Sequence, residues 1–247
     1  MESCRNTFEI FRREIKSYFE SPVAYVFLIV FLMLIGFLTF MVSDFYEMRQ
    51  ADLRMFFFWH PWVYLLMVPA ASMRLWSEER RSGTVELLLT FPVTLTQALV
   101  GKFLAAWAFL ALALALTFPI VLTTIYLGEP DPGVIVGGYI GSFLLSGAYL
   151  ALGMLTSTLT KNQVISFVLS LVGCFFLLLA GFRPVTGMLE RWAPAWLVRG
   201  VSAFSVMPHF ESFQRGIVDI RDIGYFLSAI VVLIFAGYLA LDNRKTA

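Results

Sequence analysis

The length of its apolar runs constrains this chain more than any other feature. Six stretches, at about 22–42, 56–75, 103–127, 134–158, 164–182 and 223–241, are almost free of charge. Each is close to the roughly 20 residues that an α-helix needs to cross a bilayer core. Backbone in hydrocarbon must satisfy its own hydrogen bonds, so such runs fold as helices. Composition agrees: 59% of residues are hydrophobic and 14% charged, against about 25% charged in a soluble domain. The expected fold is an all-α membrane protein, a single transmembrane domain over residues 1–247 with six spans. A net charge of +1 gives no basis for nucleic-acid binding.

Asn6 to Glu20 is expected to form an amphipathic helix lying in the membrane interface. Phe8, Phe11, Ile15, Tyr18 and Phe19 recur at spacings of three and four, which puts them on one face. Glu9, Arg12, Arg13, Glu14 and Lys16 take the other, and Asn6 is placed to cap the start. Pro22 to Val42 is longer than the about 7–15 residues of a signal-peptide core, and no A-x-A site follows, so it reads as the first span. The second run opens on Phe56-Phe57-Phe58-Trp59, an interface belt, and contains Pro61 and Pro69. An irregular helix is expected there, and Pro119 interrupts the third run. Gly128 to Gly133 is a tight turn, and Thr160 to Gln163 a short loop. The fourth run carries Gly133, Gly137, Gly141, Ser142, Ser146 and Gly147. Small residues at this spacing let helices approach closely, within the chain or between subunits.

With the N-terminus inside, eleven of the 18 Lys and Arg fall on inner segments. Five of those outside lie in the long loop 183–222, where the charge rule is weak. Both termini are expected on the cytoplasmic side.

The inner loop 76–101 is the long polar interruption between the early runs. Arg74 to Ser82 is expected to continue the preceding helix, and Gly83 to stop it. Ser82, Gly83 or Thr84 then caps a short helix through Val85, Leu87, Leu88 and Leu89, with Glu86 in its first turn. Pro92 ends it, and Thr94 with Gln97 forms a capping box for the next helix. Three leucines on a short helix must be buried somewhere. The candidates are the membrane surface, neighbouring helices or a soluble partner.

The run Glu78-Glu79 … Gly83-Thr84-Val85-Glu86-Leu87-Leu88-Leu89-Thr90-x-Pro92 … Gly101-Lys102 resembles the first cytoplasmic loop of ABC-2 type transporter permeases. The resemblance implies that Glu78, Glu79 and Gly83 to Thr90 with Pro92 carry a coupling helix that contacts an ABC ATPase subunit. It implies ATP and magnesium on that P-loop partner, with no cofactor or metal on this chain. It also implies a dimer with a second copy or a related permease, room for an auxiliary membrane or periplasmic subunit, and residence in the bacterial inner membrane. The outer segment Met207 to Phe226 is similar to the branch that includes the gliding-motility permeases and the permease for nitrous-oxide-reductase maturation. His209, Phe210, Arg215, Gly216, Asp219, Arg221 and Asp222 carry that likeness. The implied architecture is the type V exporter-like ABC-2 permease fold.

Within loop 183–222, two short amphipathic helices are expected at the outer leaflet. Trp192 and Trp196 lie one turn apart, and Phe210, Phe213 and Ile217 form a stripe. Gly216 would allow a bend, Asp222 would cap the last span, and His209 reads as structural rather than a ligand. No G-x-x-x-x-G-K-[ST], H-E-x-x-H or nucleophile elbow occurs in the sequence, so catalysis is expected elsewhere. His60 and His209 are far apart, and Cys4 and Cys174 sit in unlike surroundings, which disfavours a His/Cys metal site or a disulfide. Asp44, Lys102 and Arg183 stand at the ends of runs, and the run cores hold essentially no charge, which argues against an ion-coupled carrier. Two other readings remain. A secondary transporter or channel would work without an ATPase, and often from inverted repeats. A membrane scaffold would keep the docking helix but show no substrate-dependent ATPase activity.

Overall fold

The apolar runs do fold as helices, in a computed structural model that describes residues 2–43, 45, 52–83, 93–191 and 193–243. Helix α1 is Glu2–Glu20 and α2 is Pro22–Phe37, with its last turn, Leu38–Val42, wound as a π-helix. Then follow α3 (Arg54–Phe58), α4 (His60–Ser72), α5 (Ser77–Ser82), α6 (Leu95–Ala115) and α7 (Phe118–Leu127). The second half holds α8 (Pro132–Leu159), α9 (Gln163–Leu179), α10 (Arg183–Leu189), α11 (Ala195–Ala203), α12 (Met207–Gln214) and α13 (Ile220–Asp242). Among the described residues there is no strand. Four helical stretches among the described residues are long and apolar enough to cross a membrane: Pro22–Val42, Leu95–Leu127, Pro132–Leu159 and Ile220–Asp242; Gln163–Leu179 is shorter.

Local chemistry sets most of the boundaries. Ser21 caps α2 by accepting from the Val23 amide, and Asp131 caps α8 through Gly133. The second run breaks at Trp59, so that Pro61 falls in the first turn of α4, where a missing N–H is harmless. Pro119 likewise sits at the start of α7. The kink before it is held by the Thr117 hydroxyl, 2.6 Å from the Leu114 carbonyl and 2.9 Å from the Tyr139 hydroxyl.

Helix α8 is the hub, buried along most of its length, and α4, α6, α9, α12 and α13 all pack on it. Helices in lipid gain little hydrophobic energy from meeting one another, so close van der Waals contact has to hold them. The glycines of α8 supply that contact. A Cβ on Gly138 would fall 2.3 Å from the Phe57 ring, and one on Gly153 would fall 1.9 Å from Ser72 Oγ. Gly137 and Gly141 face Phe213 and Gly216, so the small-residue stripe is filled from within the chain.

Three expectations give way here. Helix α1 begins at Glu2, which leaves Asn6 inside it with no helix start to cap. Loop 183–222 holds three short helices, not two, and its apolar stripe is split. Phe210 and Phe213 are fully buried, whereas Ile217 is 59% exposed because α12 ends at Gln214. Trp196 is largely exposed, and Trp192 lies outside the described residues. The third correction concerns Arg74 to Ser82, which does not continue α4.

Candidate functional site

That last departure builds a polar network that ties α5 to α1, α6 and α8. Helix α4 ends at Ser72, and the chain turns through Met73–Trp76 before α5 begins. Ser157 of α8 directs the turn. Its Oγ accepts the Trp76 amide at 2.9 Å and the Ser77 amide at 3.0 Å, and its own hydrogen goes to the Met73 carbonyl at 3.2 Å. One hydroxyl thus satisfies the groups that a broken helix leaves open. Trp76 is driven fully inside by the same turn.

Helix α5 is short but tied down. The Arg80 guanidinium donates to the Thr158 carbonyl at the end of α8. Glu79 Oε1 stands 2.8 Å from Lys102 Nζ, and Glu14 Oε1 approaches the same ammonium at 3.2 Å. The Lys102 ammonium also lies 5.6 Å from the centre of the Trp76 ring. Lysine is almost never this buried without a partner, and Lys102, only 4% exposed, has two carboxylates. The Glu14–Lys102–Glu79 cluster therefore joins α1, α5 and α6. Gly83 closes α5 in the left-handed conformation at φ 73°, as the sequence predicts. Thr94 and Gln97 form the expected reciprocal capping box at the start of α6. The intervening segment, from Thr84 through Val85, Glu86, Leu87, Leu88, Leu89 and Thr90 to Pro92, lies outside the described residues.

Helix α1 runs alongside the first half of α6. Gly101 is contacted by Ile10 and by the Thr7 carbonyl, leaving no room for a Cβ. Tyr18 stacks on Phe109 with centroids 5.0 Å apart. Burial pushes the Tyr18 phenol up, with the charge of Glu14 adding to the shift, so it stays protonated. Glu14 thus belongs to a buried face, not to the solvated face expected from the pattern. Phe8, on the face expected to be apolar, is 60% exposed.

A family model described as an ABC-2 family transporter protein matches residues 20–177. The chain belongs to the ABC-2 transporter family. No curated protein matches it. As an ABC-2 permease it is a membrane transport component, and membership implies an ABC ATPase as its partner. The matched region runs from the end of α1 through most of α9, so it includes Glu79, Gly83 and Lys102 but not Glu14. The Met207 to Phe226 motif also lies beyond it.

The permease's residues of the Met207 to Phe226 motif divide into two groups. His209 Nδ1 is 2.7 Å from Asp222 Oδ1, and the imidazole stacks on Tyr225 at 4.0 Å. The Tyr225 hydroxyl donates to the Phe204 carbonyl, so this cluster clasps α12 and the end of α11 to α13. Asp222 is therefore His209's partner, and the cap of α13 is Asp219, whose side chain accepts from the Arg221 amide at 2.9 Å. Phe210 packs inward, Arg215 pairs with Glu211 at 3.4 Å, and the Arg221 side chain is exposed. Gly216 makes the expected bend at φ 77°, pressed against the backbone of Gly133.

Residues that sequence reasoning missed are Glu14, Trp76, Arg80, Ser157 and Thr158. Lys102 was legible as the tail of a motif and as the end of a run, not as a buried cation. A lysine well inside a helix that starts at Thr94 was the available signal that a partner carboxylate had to be found.

Proposed function

We propose that this permease is the transmembrane subunit of an ABC transporter whose ATPase docks on residues 84–92. The coupling assignment rests on Glu78, Glu79, Gly83, Thr84, Val85, Glu86, Leu87, Leu88, Leu89, Thr90 and Pro92. The observation that carries it is the Glu14–Lys102–Glu79 cluster. The two helices flanking the docking segment, α5 and α6, are pinned to each other and to α1 by buried ion pairs. A displacement of the segment would therefore move α5, α6 and α1 together, and reach α8 through α6. ATP with magnesium is bound and hydrolysed on the partner, and this chain contributes no catalytic group or metal site.

In this reading the broken pair α3–α4 and the shorter α9 join the four long stretches to make six spans. Both termini and the docking loop lie on the cytoplasmic side of a bacterial inner membrane. The chain works as a dimer with itself or a related permease, and an auxiliary membrane or periplasmic subunit meets the outer face. Arg215-Gly216 … Asp219 … Arg221-Asp222 supports a reading close to the gliding-motility and nitrous-oxide-reductase-maturation branch, with a type V exporter-like arrangement. Glu86→Ala, Leu87→Asp and Leu88→Asp are expected to weaken co-purification of the ATPase while membrane insertion stays normal. Undiminished co-purification with all three variants would overturn the docking assignment.

A further inference from the structure

A cleft of about 520 Å³ opens beside the ion cluster, between α1, α2 and α4. Its inner wall is apolar: Ala24 and Phe27 of α2, Ala70 and Ala71 of α4. Its rim is charged, with Arg74 and Glu78 from the turn and α5. It sits where the first span begins, since Ser21 and Val23 also line it. On the α2 surface that continues from it, Val23 and Val26 are more than half exposed. A cavity with apolar walls and a charged rim at the end of a span lies at the depth of a lipid headgroup.

The charges narrow the occupant further. The lining holds three cations (Arg13, Arg74, Lys102) and three carboxylates (Glu14, Glu78, Glu79). Lys102 is held between Glu14 and Glu79, and Arg13 lies 3.1 Å from Glu14. Arg74 and Glu78 are exposed, and no ion pair engages either among the described residues. One cation and one anion are thus left open at the same rim. We infer that the cleft holds a zwitterionic phospholipid with a primary ammonium, of the phosphoethanolamine class. Arg74 takes the phosphate, in the planar two-donor geometry that guanidinium favours. Glu78 accepts from the ammonium, and the acyl chains lie along Ala24, Phe27 and the exposed face of α2. A trimethylammonium headgroup has no N–H to give Glu78, and an anionic headgroup would bring a charge that the balanced rim leaves unmatched.

The test is native mass spectrometry of the full chain released in mild detergent. It is titrated with phosphatidylethanolamine, phosphatidylcholine and phosphatidylglycerol of identical acyl chains. One phosphatidylethanolamine is expected to bind roughly tenfold more tightly than either of the others. Arg74→Ala and Glu78→Gln, both at exposed positions, are each expected to weaken it by about tenfold. Equal retention of the three lipids, retention of none, or variants that bind phosphatidylethanolamine as the parent does would each overturn the assignment. None of these readings depends on the ATPase.

Discussion

Two junctions of this permease are held by different physics. On the first-loop side, α1, α5 and α6 meet around Lys102, and the contact is made by ionised side chains on flexible stems. At the second junction, the end of α12 lies on the start of α8. That contact is made by backbone against backbone, with Gly137 and Gly133 under Phe213 and Gly216. Ion pairs can lengthen by an ångström and re-form with other partners. Glycine-mediated packing has no such reserve, because the next atom inward is main chain. The first-loop junction therefore suits an element that has to shift, while the α12–α8 junction suits an anchor.

The strongest way to break this contrast is Lys102→Met. It leaves Glu14 and Glu79, both partly buried, facing each other with no cation between them, and a loss of about 3 kcal/mol is expected. Thermal unfolding followed by size-exclusion chromatography reads it out. Adding Glu14→Gln and Glu79→Gln is expected to recover most of the loss, since the penalty comes from unmatched charge. No recovery would mean that Lys102 acts by packing.

Next comes Gly137→Val, whose Cβ would sit 2.7 Å from the Phe213 carbonyl oxygen. Up to about 3 kcal/mol is expected, because the obstructing atom is backbone. Gly187→Ala is the control: nothing lies within 4 Å of its added carbon, and stability is expected to hold. Equal behaviour of the two variants would refute the rigid-anchor reading.

His209→Ala is expected to remove about 1.5 kcal/mol by stripping Asp222 of its partner. Limited proteolysis should then cut loop 183–222 sooner. The smallest effect is Thr94→Ala, about 1 kcal/mol from the lost cap, with Thr94→Ser restoring it. Both are read from the same unfolding curves.

What the sequence revealed follows the same division between near and far. Gly83, Gly216 and the Thr94–Gln97 box were legible because each is decided within a few residues by backbone preference or a local hydrogen bond. The proline breaks at Pro61 and Pro119 were legible for the same reason. The turn at Met73–Trp76 was not, because the groups that form it are satisfied by Ser157, 81 positions from Trp76. Residues Arg74 to Ser82 are acceptable in a helix, and nothing local forbids its continuation. Glu14 was placed on the wrong face because helical periodicity sorts charged from apolar residues. It cannot register a carboxylate whose partner, Lys102, is 88 positions away. The outer stripe failed at Ile217 because a periodic pattern carries on past a helix end that Gly216 had already set.

The most direct test of the central claim is a photo-crosslinker in place of Leu88, activated in intact cells expressing the full chain. The account predicts one dominant adduct with a soluble chain that contains a P-loop, and its loss when Glu86→Ala and Leu87→Asp are added. Adducts only with lipid, or only with a second copy of this permease, would contradict docking of an ATPase on the first loop.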